Sequence, residues 1–104
     1  MLSLQSPNKW SATWRGLTGL QQAALRLVFE ERAPTSADSV AWAATQLGTK
    51  VQPSSLSRAL EALGARGILQ RRTDGRGWAL IDPVQRAWLQ RNPDAPIRSA
   101  TPGY

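Results

Sequence analysis

Between Thr18 and Arg91 the apolar residues recur three times with helical spacing, break into two short runs, and recur once more. Leu20, Ala24, Leu27 and Val28 stand at i, i+4, i+7 and i+8, one stripe of a helix. Leu25 and Phe29 fall on roughly the opposite side, so this helix is apolar on two faces and is predicted to be central, covered on both. Thr18 and Gln21 have capping-box spacing at its start. Pro34 disfavours helix at Ala33, so the helix should fade near Glu31-Arg32.

Pro34-Thr35-Ser36-Ala37-Asp38 opens a second helix, with Thr35 the expected N-cap and Asp38 in the first turn. Its stripe is Val40, Ala43, Ala44 and Leu47, Gly48 is the expected C-cap, and Trp42 points away from the stripe. Residues 48–52 form a short turn, and Pro53 suits the first position of a third helix. There Leu56, Ala59, Leu60 and Leu63 repeat as a core stripe, with Ser54, Arg58, Glu61 and Ala65 on the other face; Gly64 or Gly67 closes it. Two short helices joined by a tight turn are a helix-turn-helix arrangement. Residues 68–72 and 77–81 read as strands of a hairpin turning on Asp74-Gly75. Asp82-Pro83 then starts a short helix carrying Val84, Ala87, Trp88 and Arg91.

Outside this core the pattern thins. Trp10 and Trp14, four apart, can share a helical face, but Ser6-Pro7-Asn8-Lys9 is loop-like. Residues 1–17 are therefore expected to be an arm that either frays or docks through its tryptophans. Residues 92–104 contain three prolines and no periodicity, and are expected to be a flexible tail. The predicted domain is 18–91, of α+β class and mostly α. Trp78 and Trp88 are expected in its core. Trp42 is expected either to be half-covered by the arm or to be an exposed docking residue.

Composition narrows the chemistry. The chain has 104 residues, 41% of them hydrophobic, enough for one small core and no more. The formal charge is +6 and the pI about 11.4, a bias toward polyanionic partners. There is no cysteine, hence no disulfide, thiolate metal site or thiol nucleophile, and no histidine, the commonest general base and metal ligand. Gly75-Arg76-Gly77 is a hairpin tip rather than a phosphate loop, and Glu30-Glu31 is a solvated helix end with no facing acid. Residues 1–4 lack signal-peptide features, and no apolar run approaches the ~18 residues needed to span a membrane. The expectation is a cytoplasmic, non-catalytic domain without cofactor or metal, monomeric or weakly dimeric.

The stretch from Pro53 to Leu69 resembles the recognition helix and first wing strand of a winged helix-turn-helix domain. Together with Pro34-Thr35-Ser36 and the run Gly77 to Leu89, it is similar to the winged helix that follows the nucleotide-binding domain of prokaryotic AAA/STAND-type ATPases. That resemblance covers about residues 18–91. It implies three helices, a β-hairpin wing and a short C-terminal helix. The chain departs from those proteins in having no ATPase module, so no nucleotide chemistry carries over.

Helix-turn-helix position makes Ser54, Ser55, Ser57 and Arg58 candidates for the major groove, with Lys50 in the preceding turn and Arg71, Arg72 and Arg76 on the wing. Residues 50–81 carry six of the thirteen positive charges against only two of the seven negative ones, so the basic excess is concentrated there. Glu61, one turn along the same face, opposes deep insertion. Two functions are expected in contention. One is binding of duplex DNA by the third helix and wing, as in a transcriptional regulator. The other is a protein-interaction or regulatory module of an ATPase, docking through Trp42 and the arm. A continuous positive surface would favour the first, and an exposed apolar patch of Trp42 and the arm the second.

Overall fold

The computed structural model of the protein describes residues 7–33, 35–75, 77–95 and 97. It begins with a helix where an arm was expected: α1, Pro7–Gly16. Trp10 and Trp14 lie on one side of this helix and are 0% and 1% exposed, so docking is the outcome observed and they join the main core. Leu17, just past the helix, is sealed with them.

The next helix, α2 (Gly19–Phe29), is central. Thr18 caps it with both bonds of a capping box: Gln21 N donates to Thr18 Oγ1 and Thr18 N donates to Gln21 Oε1, each at 3.1 Å. Leu25 and Leu27 are both fully buried, which is the two-sided burial the double stripe implies. α2 packs against both α3 (Ala37–Leu47) and α4 (Pro53–Ala65), and so holds the helix-turn-helix pair together. The N-cap of α3 is Ser36, not Thr35: Ser39 N donates to Ser36 Oγ at 3.3 Å. Both residues are hydroxyl-bearing, and the one adjacent to the helix makes the bond. Gly48 ends α3 in the left-handed region, φ 70°. On α4 the stripe Leu56, Ala59, Leu60 and Leu63 is buried as predicted, while Val40 and Ala44 of α3 are only partly covered.

Strands β1 (Leu69–Arg71) and β2 (Trp78–Leu80) form an antiparallel hairpin with Leu69 opposite Leu80 and Arg71 opposite Trp78. They are shorter than the predicted runs. Gly75 has φ 74° at the tip. β1 packs on α4 and β2 on α2. Asp82 caps α5 (Pro83–Arg91), accepting from Val84 N at 2.8 Å. Trp88 of α5 meets Trp14 at 5.7 Å and Trp10 edge-on at 6.4 Å between ring centroids. The tryptophan expectation is thus inverted in degree: Trp10 and Trp14 are sealed, whereas Trp88 beside them and Trp78 on the wing are half-buried at the edge of the core.

The start of the expected tail is tied down. Arg26 of α2 is 3% exposed and donates from Nη2 to the carbonyl of Asn92 at 2.9 Å. Burial pulls its guanidinium below the ordinary pKa, with the charges of Glu30 and Asp94 acting the other way. The result is a mostly helical α+β fold, with five helices and one hairpin among the described residues, in a winged-helix-like order. No helix among the described residues is long and apolar enough to cross a membrane.

Candidate functional site

α4 turns its second face outward because its first is spent on α2. Ser54, Arg58 and Glu61 are exposed, and Ser55 and Ser57 are half-exposed on its flanks. Lys50 is exposed in the turn before it. Neither Lys50 nor Arg58 makes an ion pair among the described residues.

The wing arginines separate. Side chains alternate across a strand, so Arg71 shares the inner face with Leu69, Trp78 and Leu80, and Arg72 takes the other. The Arg72 N–H bonds to the Gly77 carbonyl at 2.9 Å and that of Ile81 to the Ile68 carbonyl at 3.3 Å. The alternation makes Arg71–Trp78 a non-hydrogen-bonded pair, whose side chains are the closer kind. Accordingly the Arg71 guanidinium sits over the Trp78 indole, 4.6 Å from its centroid. The far end of that indole rests on Gly64 of α4, where a Cβ would stand only 2.7 Å from Trp78 Cζ3. Arg72 Nη2 instead reaches Asp74 Oδ2 at 3.4 Å, an exposed pair. Arg76 lies outside the described residues.

Two grooves result. One, of about 190 Å³, runs between α4 and the wing, and Thr35, Ser57, Leu60, Glu61, Arg71 and Trp78 line it. It brings together Ser57 and Arg71 from the predicted set, but also Glu61. The other, of about 320 Å³, lies behind the wing, where Arg72 meets Arg32 at the exit of α2 and Arg86 of α5. Among the described residues the predicted set therefore does not make one unbroken positive surface: Arg71 and Arg72 face different grooves, and Glu61 and Asp74 intervene. Comparison with family models, curated proteins and solved structures finds no match to this chain.

Trp42 and the N-terminal segment do not form a joint apolar patch among the described residues. Trp10 and Trp14 are in the core, and Trp42, half-buried, is capped by the Arg32 guanidinium 5.5 Å from its ring centroid. Sequence reasoning missed Arg32 and Arg86, because they come from elements outside the helix-turn-helix pattern and only the tertiary fold places them beside the wing. Their charge gave no local signal. Nothing in the site among the described residues groups three acids, histidines or cysteines as a metal site would.

Proposed function

We propose that the protein is a non-catalytic binding module for duplex DNA, engaging it through the N-terminal half of α4 and the wing. The observation that supports this best is the exposed Ser54–Arg58 face, opposite buried Leu56 and Leu60 and beside a hairpin carrying Arg71 and Arg72. Hydroxyls and an unpaired guanidinium on that face suit phosphates and base edges. Glu61, a turn further on, keeps the C-terminal half of α4 off the phosphates. Lys50, Arg58, Arg71, Arg72 and Arg76 offer about three to five phosphate contacts, which predicts log K falling with log salt at a slope of about −3 to −4.5. Affinity at physiological salt is expected at about 10⁻⁴–10⁻⁶ M.

The test is titration of labelled duplex at two or more salt concentrations, read by anisotropy. Arg72→Ala is expected to shallow the slope by up to about one unit on every sequence, and Arg58→Ala also to blur any sequence preference. Absence of saturable binding at low salt, or binding indifferent to both changes, overturns the reading. A second reading, a protein-docking winged helix of the AAA/STAND type, draws support from Ile81. It is 46% exposed and flanks Leu69, Gly64 and Ala65 in a shallow depression on the outside of β1 and α4. That reading gains if Ile81→Ser abolishes partner binding while duplex never binds.

A further inference from the structure

The groove behind the wing is built differently from the one in front. Its guanidinium groups come from three elements far apart in the chain: Arg32 from the turn after α2, Arg72 from the wing and Arg86 from α5. Among the carboxylates only Glu31 lines the groove with them, while Glu30 and Asp74 touch Arg32 and Arg72 from beside it. Arg86 is exposed and makes no ion pair among the described residues. The ion pairs of Arg32 and Arg72 are long, 3.6 Å to Glu30 and 3.4 Å to Asp74, and open to solvent, and Arg32 also lies over the Trp42 ring at 5.5 Å, so each guanidinium holds contacts that a phosphate can replace. Residue pairs 68/81, 70/79 and 72/77 are the hydrogen-bonded ones, so the N–H of Trp78, a residue that lines the groove, projects from the edge of β2 away from β1. Its volume of about 320 Å³ holds a phosphate and part of what carries it, and lies at the small end of the ~300–1,000 Å³ usual for ligand pockets.

The wall is also strained. α2 ends in a Schellman turn, with Arg32 N bonding to Leu27 O and Glu31 N to Val28 O. The position that glycine usually fills in such a turn is Glu31, at φ 58°, which makes it the one non-glycine residue with positive φ among those described. A strained backbone that carries the acid lining a basic groove is the kind of outlier found where a ligand is held.

We propose that this groove is a phosphate-binding site, separate from the α4 face, with Arg32, Arg72 and Arg86 as its cations and Glu31 as a built-in competitor that weakens it. The phosphate comes either from a free nucleoside phosphate or from a nucleic-acid backbone. The site does not depend on the α4 reading.

The experiment is ¹H–¹⁵N NMR on the full chain, with chloride-matched ionic strength throughout. Inorganic phosphate, a nucleoside monophosphate and a short DNA duplex are titrated separately. Saturable shifts at Arg32, Ala33, Trp78 and Ala79 with inorganic phosphate are expected. Arg86→Gln should weaken them about tenfold, the loss of one charge-assisted contact, and Glu31→Gln should strengthen them by about threefold. A nucleoside monophosphate that binds more tightly than phosphate identifies a small ligand. Duplex-induced shifts in the groove that phosphate competes away identify a nucleic-acid source. Shifts that never saturate, vanish once chloride is matched, or ignore Arg86→Gln overturn the site. Duplex that moves only α4 amides and is lost in Arg58→Ala, with phosphate silent, retains the DNA reading and refutes this one; the reverse pattern refutes only the DNA reading.

Discussion

On the α1–α5 side of the molecule, Trp10 and Trp14 are sealed against Trp88 and share a core with Leu17 and Leu89. On the wing side, Trp78 lies half open, with Gly64 under its far end and the Arg71 guanidinium over its ring. Both sides spend aromatic surface, but differently. Trp10 and Trp14 are wholly removed from water, where an indole contributes most to stability. The second is covered by a charged group that solvent or a ligand can replace, at a cost of about 0.5–1 kcal/mol for an exposed cation–π contact. One side holds the chain together, and the other keeps a surface that can change partners.

The largest effect that breaks this comparison is expected at Trp14. Trp14→Ala removes a fully buried indole and leaves a hole against Trp88, and should cost about 3–5 kcal/mol. A small domain has only about 5–15 kcal/mol in total. Urea denaturation followed by far-ultraviolet circular dichroism should show the whole domain unfolding earlier in one transition, with α4 and the wing lost together with α1. If the wing side kept its transition while α1 melted alone, residues 7–17 would be an arm after all.

That α1 was not legible as a core helix has a physical reason. Within residues 1–17 the face is marked only by Trp10, Trp14 and, just past the helix, Leu17, and the ring that meets both indoles is Trp88 on α5, at the other end of the domain. Local spacing cannot report a contact between chain ends. By contrast α4 and the hairpin were legible because their signals are local: Gly48, Pro53 and Asp74-Gly75 fix the breaks, and Leu56, Ala59, Leu60 and Leu63 fix the face. The exposure of Ser54 and Arg58 followed from the same period. The division of Arg71 from Arg72 was implicit in the two-residue alternation of a strand, but Arg71's pairing with Trp78 needed the register. The groove behind the wing was not legible, since Arg32 and Arg86 meet Arg72 only through the packing of β2 on α2 and α5.

A smaller effect, of opposite sign, is expected at the exit of α2. Glu31 occupies the left-handed region at φ 58°, which costs a residue with a Cβ about 1–2 kcal/mol and glycine almost nothing. Part of that gain is given back because glycine frees the unfolded chain. Glu31→Gly should therefore stabilise the domain by about 0.5–1 kcal/mol, measured as a raised urea midpoint at unchanged m-value. No other wing-side exposed acid should behave this way on replacement by glycine. A lowered midpoint would mean that the Glu31 side chain makes a contribution to the fold that outweighs its backbone strain.

The smallest change in stability should accompany the largest change in the wing. Gly64 sits inside α4, where alanine is favoured over glycine by about 1 kcal/mol. The Cβ added by Gly64→Ala would stand 2.7 Å from Trp78 Cζ3 and 3.1 Å from Cη2, far inside contact distance. These atoms are the far end of a half-buried side chain, so the indole can swing rather than force the helix apart. It must then leave its seat and the Arg71 guanidinium above it. The helix gain and the loss of indole packing oppose each other, and the net change should stay within about 1 kcal/mol. Tryptophan fluorescence and the Arg71 side-chain resonance should nevertheless shift clearly. Binding in front of the wing should weaken, because Arg71 loses the ring that positions it, while Arg32 and Arg86 behind the wing keep their places. A large loss of stability in this variant would show instead that Trp78 belongs to the sealed core, and that the two sides do not differ in the way their burial indicates.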